Sequence, residues 1–366
     1  MRQNLTASEL DELELGLRVQ GDKQFQDRLL AGVSRTYAAA VPALPQSLRL
    51  AATNAFLLCQ AAETIDNLLD APAARRQEIF GLLAQAVHEP AEANELAVAL
   101  HSPLLAKLPP VARELLRNLP RLVRVPEALP ARQGQAVRHC IRQVCDGLSR
   151  LQPLRGPHGL PDLATYDDYA YYCNGALSEF LTSAFCGYSP AIARRGAELH
   201  ALAPAFGRGL CATQLLKNVW RDRARGVCYL PRDVFRAHGL ELGPDQDWAT
   251  DPRFRAGYHE LITRAHSQLR QARDYILRLP PSEDGIRRFC FWPVGLALLT
   301  LQRLRAASRG KIEPGGELKV SPTALRMAVP ASRWLVRHDA WLNRAFRLAS
   351  LGLPPLRRHR QPDRAP

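Results

Sequence analysis

The chain has 366 residues, of which 46% are hydrophobic and 23% are charged, so its composition is globular rather than disordered or fibrous. No apolar run reaches about 18 residues, so no transmembrane helix is expected. The net charge of +14 admits an acidic small molecule or an anionic membrane surface as a partner. Nucleic acid is not an expected partner, because no nucleic-acid-binding module is recognisable.

The eight cysteines include no CxxC pair, and the N-terminus has no secretory pattern, which predicts a cytoplasmic protein with reduced thiols.

Helical patterns fill the chain, and alternating strand patterns are nearly absent. Thr6-Ala-Ser-Glu9 forms a capping box for a first short helix. Helices are predicted over 46–71, 73–88, 131–151, 163–187, 190–222, 252–279, 283–308 and 331–350. The proline-rich stretch 100–130 is predicted to be an irregular connector, and the basic tail 353–366 is predicted to be disordered. The patterns therefore predict an all-α protein, with one large helical bundle in residues 1–352.

A polar patch interrupts the apolar helix predicted over 46–71. Glu63, Asp66, Asn67 and Asp70 are spaced i, i+3, i+4 and i+7, so they share one helical face. Acidic groups on a buried helix are costly unless they meet water, cations or a metal ion. The spacing alone leaves open a solvated helix face, which is the commoner use of such a pattern, or a cation site.

A second patch lies far along the chain on the predicted helix 190–222. There Asn218, Arg221 and Asp222 repeat the i, i+3, i+4 spacing. Two facing helices that present carboxylates in this way can hold Mg²⁺ through oxygen ligands, and such ions can bind a diphosphate. The chemistry that follows is departure of the diphosphate and formation of an allylic carbocation in an apolar cavity.

Five collinear segments resemble the squalene/phytoene synthases and together cover about residues 30–330. The first runs from Ser34-Arg35-Thr36-Tyr37 into the polar face of helix 46–71. The second, YAYYCNGALSEFLTSAF (169–185), is similar to the family's tyrosine-rich helix. The third, 213–235, resembles the family's second aspartate helix with its Arg-Gly-x-x-Tyr-Leu-Pro exit, and segments 287–301 and 315–326 resemble its C-terminal helices.

The resemblance implies a single isoprenoid-synthase helical bundle around a central cavity. It implies head-to-head condensation of two prenyl diphosphates, with farnesyl diphosphate as the expected substrate, to presqualene diphosphate, squalene or a related C30 product. Mg²⁺ is the implied cofactor, and NADPH would serve a member that reduces the intermediate to squalene.

The resemblance also assigns roles to individual residues. The expected catalytic residues are Tyr172, Asp66 and Asp222. The expected diphosphate-binding residues are Arg35, Lys217, Arg221 and Tyr37. The expected metal ligands are Glu63, Asn67, Asn218 and Asp222.

Each of the two metal-binding motifs has lost one outer carboxylate relative to the family pattern. Asn67 and Asn218 stand at outer positions where the family has aspartate, and Gln60 stands where an arginine is usual. An asparagine can ligate Mg²⁺ through its carbonyl oxygen but brings no charge, so metal affinity should fall. Arg221 replaces an acidic residue and could bind phosphate directly, since a guanidinium pairs with it bidentately.

These losses leave two other functions open. One is a diverged enzyme of this fold that acts on a single prenyl diphosphate, as a terpene synthase or another prenyltransferase. The other is a non-catalytic partner subunit of a synthase. The C-terminal segment after 331 mixes apolar and basic residues, so a peripheral contact with the inner face of a membrane is a further expectation, and a packed bundle helix is the simpler interpretation.

Overall fold

Helices make up all the regular secondary structure in residues 21–100, 103–308 and 332–354, which are the residues described by the computed structural model. These ranges contain no β-strand, only two isolated bridges, Gly156–Cys228 and Leu160–Pro231. The all-α prediction is confirmed. None of the helices in the described ranges is long and apolar enough to cross a bilayer.

The helices are numbered in chain order, and a π-helical segment, Tyr171–Gly175, joins the ninth to the tenth. They are α1 (21–33), α2 (Arg35–Ala40), α3 (Gln46–Asp66), α4 (Ala73–His88), α5 (Ala93–Leu100), α6 (Pro110–Arg117), α7 (Leu119–Leu122), α8 (Ala131–Leu151), α9 (Leu163–Ala170), α10 (Ala176–Tyr188), α11 (Pro190–Ala193), α12 (Gly196–Ala224), α13 (Arg232–Ala237), α14 (Pro252–Arg278), α15 (Asp284–Ala307), α16 (332–335) and α17 (Asp339–Ala349).

The longest helices surround one contiguous apolar core. Helix α12 packs against α10, α14, α15 and the π-helical segment, while α8 packs against α3 and α4. Helix α3 is buried along nearly its whole length, from Leu48 to Asp66. Asp66 therefore lies inside the bundle, with Glu63 and Asn67 half-buried beside it. Asp70 lies beyond the end of α3, is exposed and pairs with Lys107 (3.2 Å), so it does not share their helical face.

Several predicted boundaries are wrong. The helix predicted over 46–71 ends at Asp66. There, arginine side chains donate hydrogen bonds to backbone carbonyl oxygens that would accept from backbone N–H groups in a longer helix. The helix predicted over 163–187 is interrupted by the π-helical segment, and the one over 190–222 is divided into α11 and α12. The helix predicted over 331–350 breaks between α16 and α17.

The stretch 100–130 is not an irregular connector in its described part. It contains α6 and α7, and each has a proline in its first turn, where the missing N–H costs nothing. Buried leucines anchor both helices to the core. The capping box at Thr6, the segment 315–326 and residues 355–366 lie outside the described residues. Leu353, where the tail was predicted to begin, is buried.

Candidate active site

The C-terminal ends of α3 and α12 meet inside the bundle. Gly226, at a φ of 75°, ends α12 in the left-handed conformation that favours glycine. The chain that follows returns to Asn67, the C-terminal cap of α3. Arg225 Nη2 donates to the Asn67 carbonyl oxygen (2.9 Å), and the Tyr229 hydroxyl donates to Asn67 Oδ1 (3.1 Å). The two polar patches of the sequence thus belong to one site.

Asp66 is the most deeply buried acidic group of this site. Arg155 Nη1 donates to its Oδ2 atom (2.8 Å), and the Tyr169 hydroxyl donates to the same oxygen (3.0 Å). The side chains of Arg155 and Asp66 are only 4% and 1% exposed. Burial raises the pKa of Asp66, while Arg155 and the Tyr169 hydrogen bond lower it. Asp66 Oδ1 is buried and has no hydrogen-bond partner among the described residues.

The segment that carries Arg155 is fastened to the chain that leaves α12. Cys228 N donates to Gly156 O, and Leu160 N donates to Leu230 O, both at 2.9 Å. These bonds hold Arg155 beside Tyr229, whose hydroxyl accepts from Arg155 Nη1 at 2.9 Å. Backbone pairing, rather than helix packing, therefore positions this guanidinium.

Glu63 and Asp222 bring carboxylates from α3 and α12 close together. Gln60 Nε2 donates to Glu63 Oε2 (2.8 Å). Burial raises the pKa of Glu63, and the neighbouring Asp66 and Asp222 carboxylates raise it further. Asp222 is 5% exposed, and its ion-pair partner, Arg221, lies 3.6 Å away with a side chain that is 66% exposed. These two carboxylates are therefore desolvated and incompletely compensated.

We expect Glu63→Gln to raise the free energy of unfolding of the metal-free protein near neutral pH. The folded carboxyl keeps its proton to a higher pH than the unfolded one, so wild-type stability falls as pH rises from the ordinary value of 4.5 through the raised pKa. The variant has no carboxyl group to ionise at this position, so its stability does not fall in this way as the pH rises. Urea unfolding in EDTA across the pH range measures the difference, which should vanish below the ordinary pKa. The exposed Glu114→Gln is the control, and a Glu63→Gln variant less stable than wild type near pH 7 would contradict this expectation.

The donors at this site fit a metal ion only in part. No three histidine, cysteine, aspartate or glutamate side chains of the described residues converge to hold a metal. Mg²⁺ in enzymes that act on phosphate esters commonly uses one or two carboxylates, and substrate oxygens and water supply its other ligands. Glu63 and Asp222 fit that arrangement. Asn67 Oδ1 already accepts hydrogen bonds from Tyr229 and Arg225, so its predicted role as a ligand would require these bonds to break.

Of the three tyrosines near the π-helical segment, one lies at the acidic site and two pack together against α8. Tyr169 contacts Asp66, whereas the Tyr172 hydroxyl accepts from Arg150 Nη2 on α8. The Tyr172 ring lies so close to α8 that a Cβ at Gly147 would be 2.2 Å from it, which requires glycine there. The Tyr171 hydroxyl donates to Glu179. The catalytic role of Tyr172 stays a prediction, and Tyr169 is the tyrosine in contact with the acidic site.

The other predicted residues are spread around the site. The Tyr37 ring stacks on Phe56 at 3.9 Å and meets Phe289 edge-on at 5.3 Å, and its buried hydroxyl has no partner among the described residues. Arg35 is exposed at the start of α2. Lys217 and Asn218 are half-buried on α12, within about one turn of Asp222. Their predicted roles are not tested by these positions.

Sequence reasoning missed Arg155 and Arg225 and gave Tyr169 no role. Arg155 lies in a proline- and glycine-rich segment with no periodic pattern, so no local signal points to it. Arg225 and Tyr229 belong to the Arg-Gly-x-x-Tyr-Leu-Pro motif, which could have indicated that both residues lie at the site.

Known proteins resemble this chain in sequence and in fold. The family model described as Squalene/phytoene synthase matches residues 30–324. Presqualene diphosphate synthase of Zymomonas mobilis subsp. mobilis is 31% identical over 138 residues, which is 38% of this chain and 44% of the relative. Phytoene synthase of Thermus thermophilus is 29% identical over 116 residues, which is 32% of this chain and 37% of the relative. The matched segments span less than half the length of either curated relative.

Solved structures agree on the fold. A complex of TcSQS with the ligand BPH1237 has a TM-score of 0.68 at 16% identity and covers 90% of both chains. Squalene synthase HpnC from Alicyclobacillus acidocaldarius has a TM-score of 0.55 at 16% identity, covering 81% of this chain and 97% of that one. At this identity the likeness shows the fold alone. Because the family model covers most of the sequence, the chain belongs to the squalene/phytoene synthase family, whose members are prenyltransferases.

Proposed function

We propose that this protein condenses two molecules of farnesyl diphosphate head to head, giving presqualene diphosphate or a C30 product made from it. The observation that carries the proposal is the pair of desolvated carboxylates, Glu63 and Asp222, that α3 and α12 bring together inside an apolar bundle. Family membership supports the reaction type. The choice of farnesyl diphosphate and of a C30 product belongs to the proposal.

The residues around this pair suit a diphosphate that leaves an allylic chain. Bound metal would neutralise the departing diphosphate, and Glu63 and Asp222 are the residues that would hold it. Lys217 and Arg221 are carried by the same helix as Asp222 and add positive charge for the phosphate oxygens. Coupling breaks one C–O bond, forms a cyclopropane between the two chains, and releases one proton and one diphosphate per product.

The apolar part of the site suits a carbocation. Tyr37 is stacked on Phe56, and Phe289 meets Tyr37 edge-on; the ring faces that this packing leaves uncovered could stabilise an allylic cation. Cys59 and Cys290, among the groups that face Tyr37, are buried and have pKa values raised by their surroundings, so they are neutral, unreactive wall residues. This environment excludes water from a reactive intermediate.

The experiment is a product analysis with purified protein. Geranyl, farnesyl or geranylgeranyl diphosphate is incubated with Mg²⁺, with and without NADPH, and the extracted products are identified by mass spectrometry. The proposal predicts a coupled C30 product from farnesyl diphosphate. A reduced hydrocarbon that forms only with NADPH would add the reductive second step, and no coupled product at any chain length would overturn the proposal.

Two alternatives give different results in the same experiment. A single-diphosphate enzyme is favoured by the loss of one outer carboxylate in each motif, and it would release diphosphate and form only uncoupled products. A non-catalytic partner subunit would release no diphosphate by itself. Diphosphate release that Asp222→Ala abolishes would therefore exclude the partner-subunit alternative.

We also propose that α16 and α17 contact an anionic membrane surface peripherally. Two exposed tryptophans, Trp334 and Trp341, have ring centroids 5.3 Å apart, and Leu348 and Leu351 are exposed further along. Tryptophan is enriched where protein meets the interfacial layer of a bilayer. This patch is consistent with an enzyme that handles a lipidic substrate and product.

Positive charge lies beside these tryptophans. An open cleft of about 470 Å³ is lined by Trp334, Asp284 and three arginines, Arg288, Arg333 and Arg337. Asp284 pairs with Arg337 at 2.7 Å. Burial and the nearby Arg333 lower the pKa of Arg288. The cleft therefore carries an excess of positive charge that suits a lipid phosphate.

The double variant Trp334→Ser/Trp341→Ser should reduce binding to phosphatidylserine-containing vesicles by at least about tenfold, because two large apolar side chains no longer insert. Co-sedimentation with vesicles measures the bound fraction, and Tyr188→Ser, an exposed aromatic elsewhere, is the control. Binding of wild type should weaken at high salt. Equal binding of the double variant and wild type would contradict the proposed contact.

A further inference from the structure

We infer that Arg155 supplies, from within the protein, the positive charge that a metal ion would otherwise bring to Asp66, so that the C-terminal turn of α3 binds no metal. Metal binding is then confined to Glu63 and Asp222. The inference rests on the proposed function only in its choice of diphosphate as a probe. It concerns what balances the charge of Asp66 in a motif whose next position, Asn67, carries no carboxylate.

Two hydrogen bonds hold the Arg155–Asp66 pair, although Arg155 Nε and Asp66 Oδ1 have no partner among the described residues. One guanidinium nitrogen, Nη1, donates to the carboxylate (2.8 Å), and the other, Nη2, donates to the Asp66 backbone carbonyl oxygen (2.8 Å). Both side chains are almost fully buried. A carboxylate at a helix C-terminus faces the negative end of the helix dipole, so a cation beside Asp66 stabilises its ionised form.

Two further guanidiniums bind the same turn of backbone. Arg225 Nη2 donates to Asn67 O (2.9 Å), and Arg76 Nη1 donates to Leu68 O (3.0 Å) and Ala71 O (2.7 Å). Burial lowers the pKa of Arg76, and the nearby Arg155 lowers it further. A divalent cation brought to Asp66 would be repelled chiefly by the buried Arg155, and more weakly by Arg76 and the exposed Arg225.

A tyrosine hydroxyl binds the side-chain oxygen of Asn67, which stands at the second outer position of the motif. The Tyr229 hydroxyl accepts from Arg155 Nη1 and donates to Asn67 Oδ1 (3.1 Å). Asn67 Nδ2 donates to Glu63 O at 2.8 Å, which fixes the orientation of the amide. Asp66 Oδ1 is buried and has no hydrogen-bond partner among the described residues, so it is the carboxylate oxygen that a metal ion could reach. The experiment therefore asks whether a metal ion occupies that position.

The test counts Mn²⁺ ions bound per chain in the presence of inorganic diphosphate, with electron paramagnetic resonance as the readout. We expect Asp66→Asn to bind as many Mn²⁺ ions as wild type and Arg155→Gln to bind one more, because the Asp66 carboxylate is then released for a metal. Arg264→Gln, which breaks a different arginine–aspartate pair, should leave the number unchanged. A loss of one Mn²⁺ in Asp66→Asn, or no gain in Arg155→Gln, would overturn the inference.

A second measurement needs no variant. Crystals of wild-type protein with Mn²⁺ and inorganic diphosphate give anomalous peaks at each metal. The inference predicts no peak at coordination distance from Asp66 and an intact Arg155–Asp66 pair, whereas a peak bonded to Asp66 would overturn it. Neither readout depends on turnover, so an enzyme that makes another product would fail the product analysis and leave this result intact.

Discussion

Asp222→Asn should lower the rate of diphosphate release from farnesyl diphosphate by at least about 100-fold. Removing a residue that only orients a metal ligand commonly costs 10- to 100-fold, so loss of the ligand itself should cost more. Asp222 is the buried carboxylate of α12 that lies beside Glu63, and asparagine keeps its shape without its charge. A coupled assay for inorganic diphosphate measures the rate.

Glu198→Gln is the matched control for this variant. Glu198 lies on α12 as well, but it is exposed and pairs with Arg278 at 2.8 Å on the outside of the bundle. Its removal should leave the rate near that of wild type. If Asp222→Asn retained most of the activity, the assignment of the site to the ends of α3 and α12 would be wrong.

Arg155→Ala should lower the free energy of unfolding by about 3–5 kcal/mol, the usual cost of leaving one partner of a buried ion pair uncompensated. The loss follows because Asp66 is 1% exposed and cannot recover its hydration when the guanidinium is removed. Urea unfolding followed by far-UV circular dichroism measures the change.

An exposed pair of the same type provides the comparison. Arg236 and Glu241 are 2.7 Å apart with side chains more than half exposed, so Arg236→Ala should cost far less than Arg155→Ala. A cost for Arg155→Ala as small as that for Arg236→Ala would mean that Asp66 is neutral or solvated in the folded protein.

Much of the fold can be read from the sequence because helices leave a local, periodic pattern. The core positions of α3, such as Leu48, Ala55 and Ile65, recur at helical steps, and all of them are buried. Helix ends are harder to predict, because distant side chains decide them. No residue within 46–71 indicates that α3 stops at Asp66, since Arg155 and Arg225 end it from elsewhere in the chain.

In the site, too, contacts that depend on local spacing can be predicted from the sequence, and contacts with distant segments cannot. The pairing of Glu63 with Asp222 follows from two local spacings together with a family resemblance. The partner of Asp66 does not, because Arg155 is 89 residues away and reaches it through backbone pairing of an irregular segment. The tyrosine-rich segment 169–172 is also hard to interpret from the sequence. Tyr169 contacts Asp66, whereas the Tyr171 and Tyr172 rings pack on each other at 5.1 Å and bond to residues of α8.

The carbon number of the product formed from farnesyl diphosphate and Mg²⁺ decides whether this protein is a head-to-head prenyltransferase. Two C15 chains joined by the site would give a C30 product, visible by mass spectrometry of the organic extract and absent from the Asp222→Asn reaction. An extract that contains only C15 alcohols or cyclic C15 hydrocarbons, with diphosphate released, would contradict the proposed reaction and identify an enzyme that ionises a single substrate.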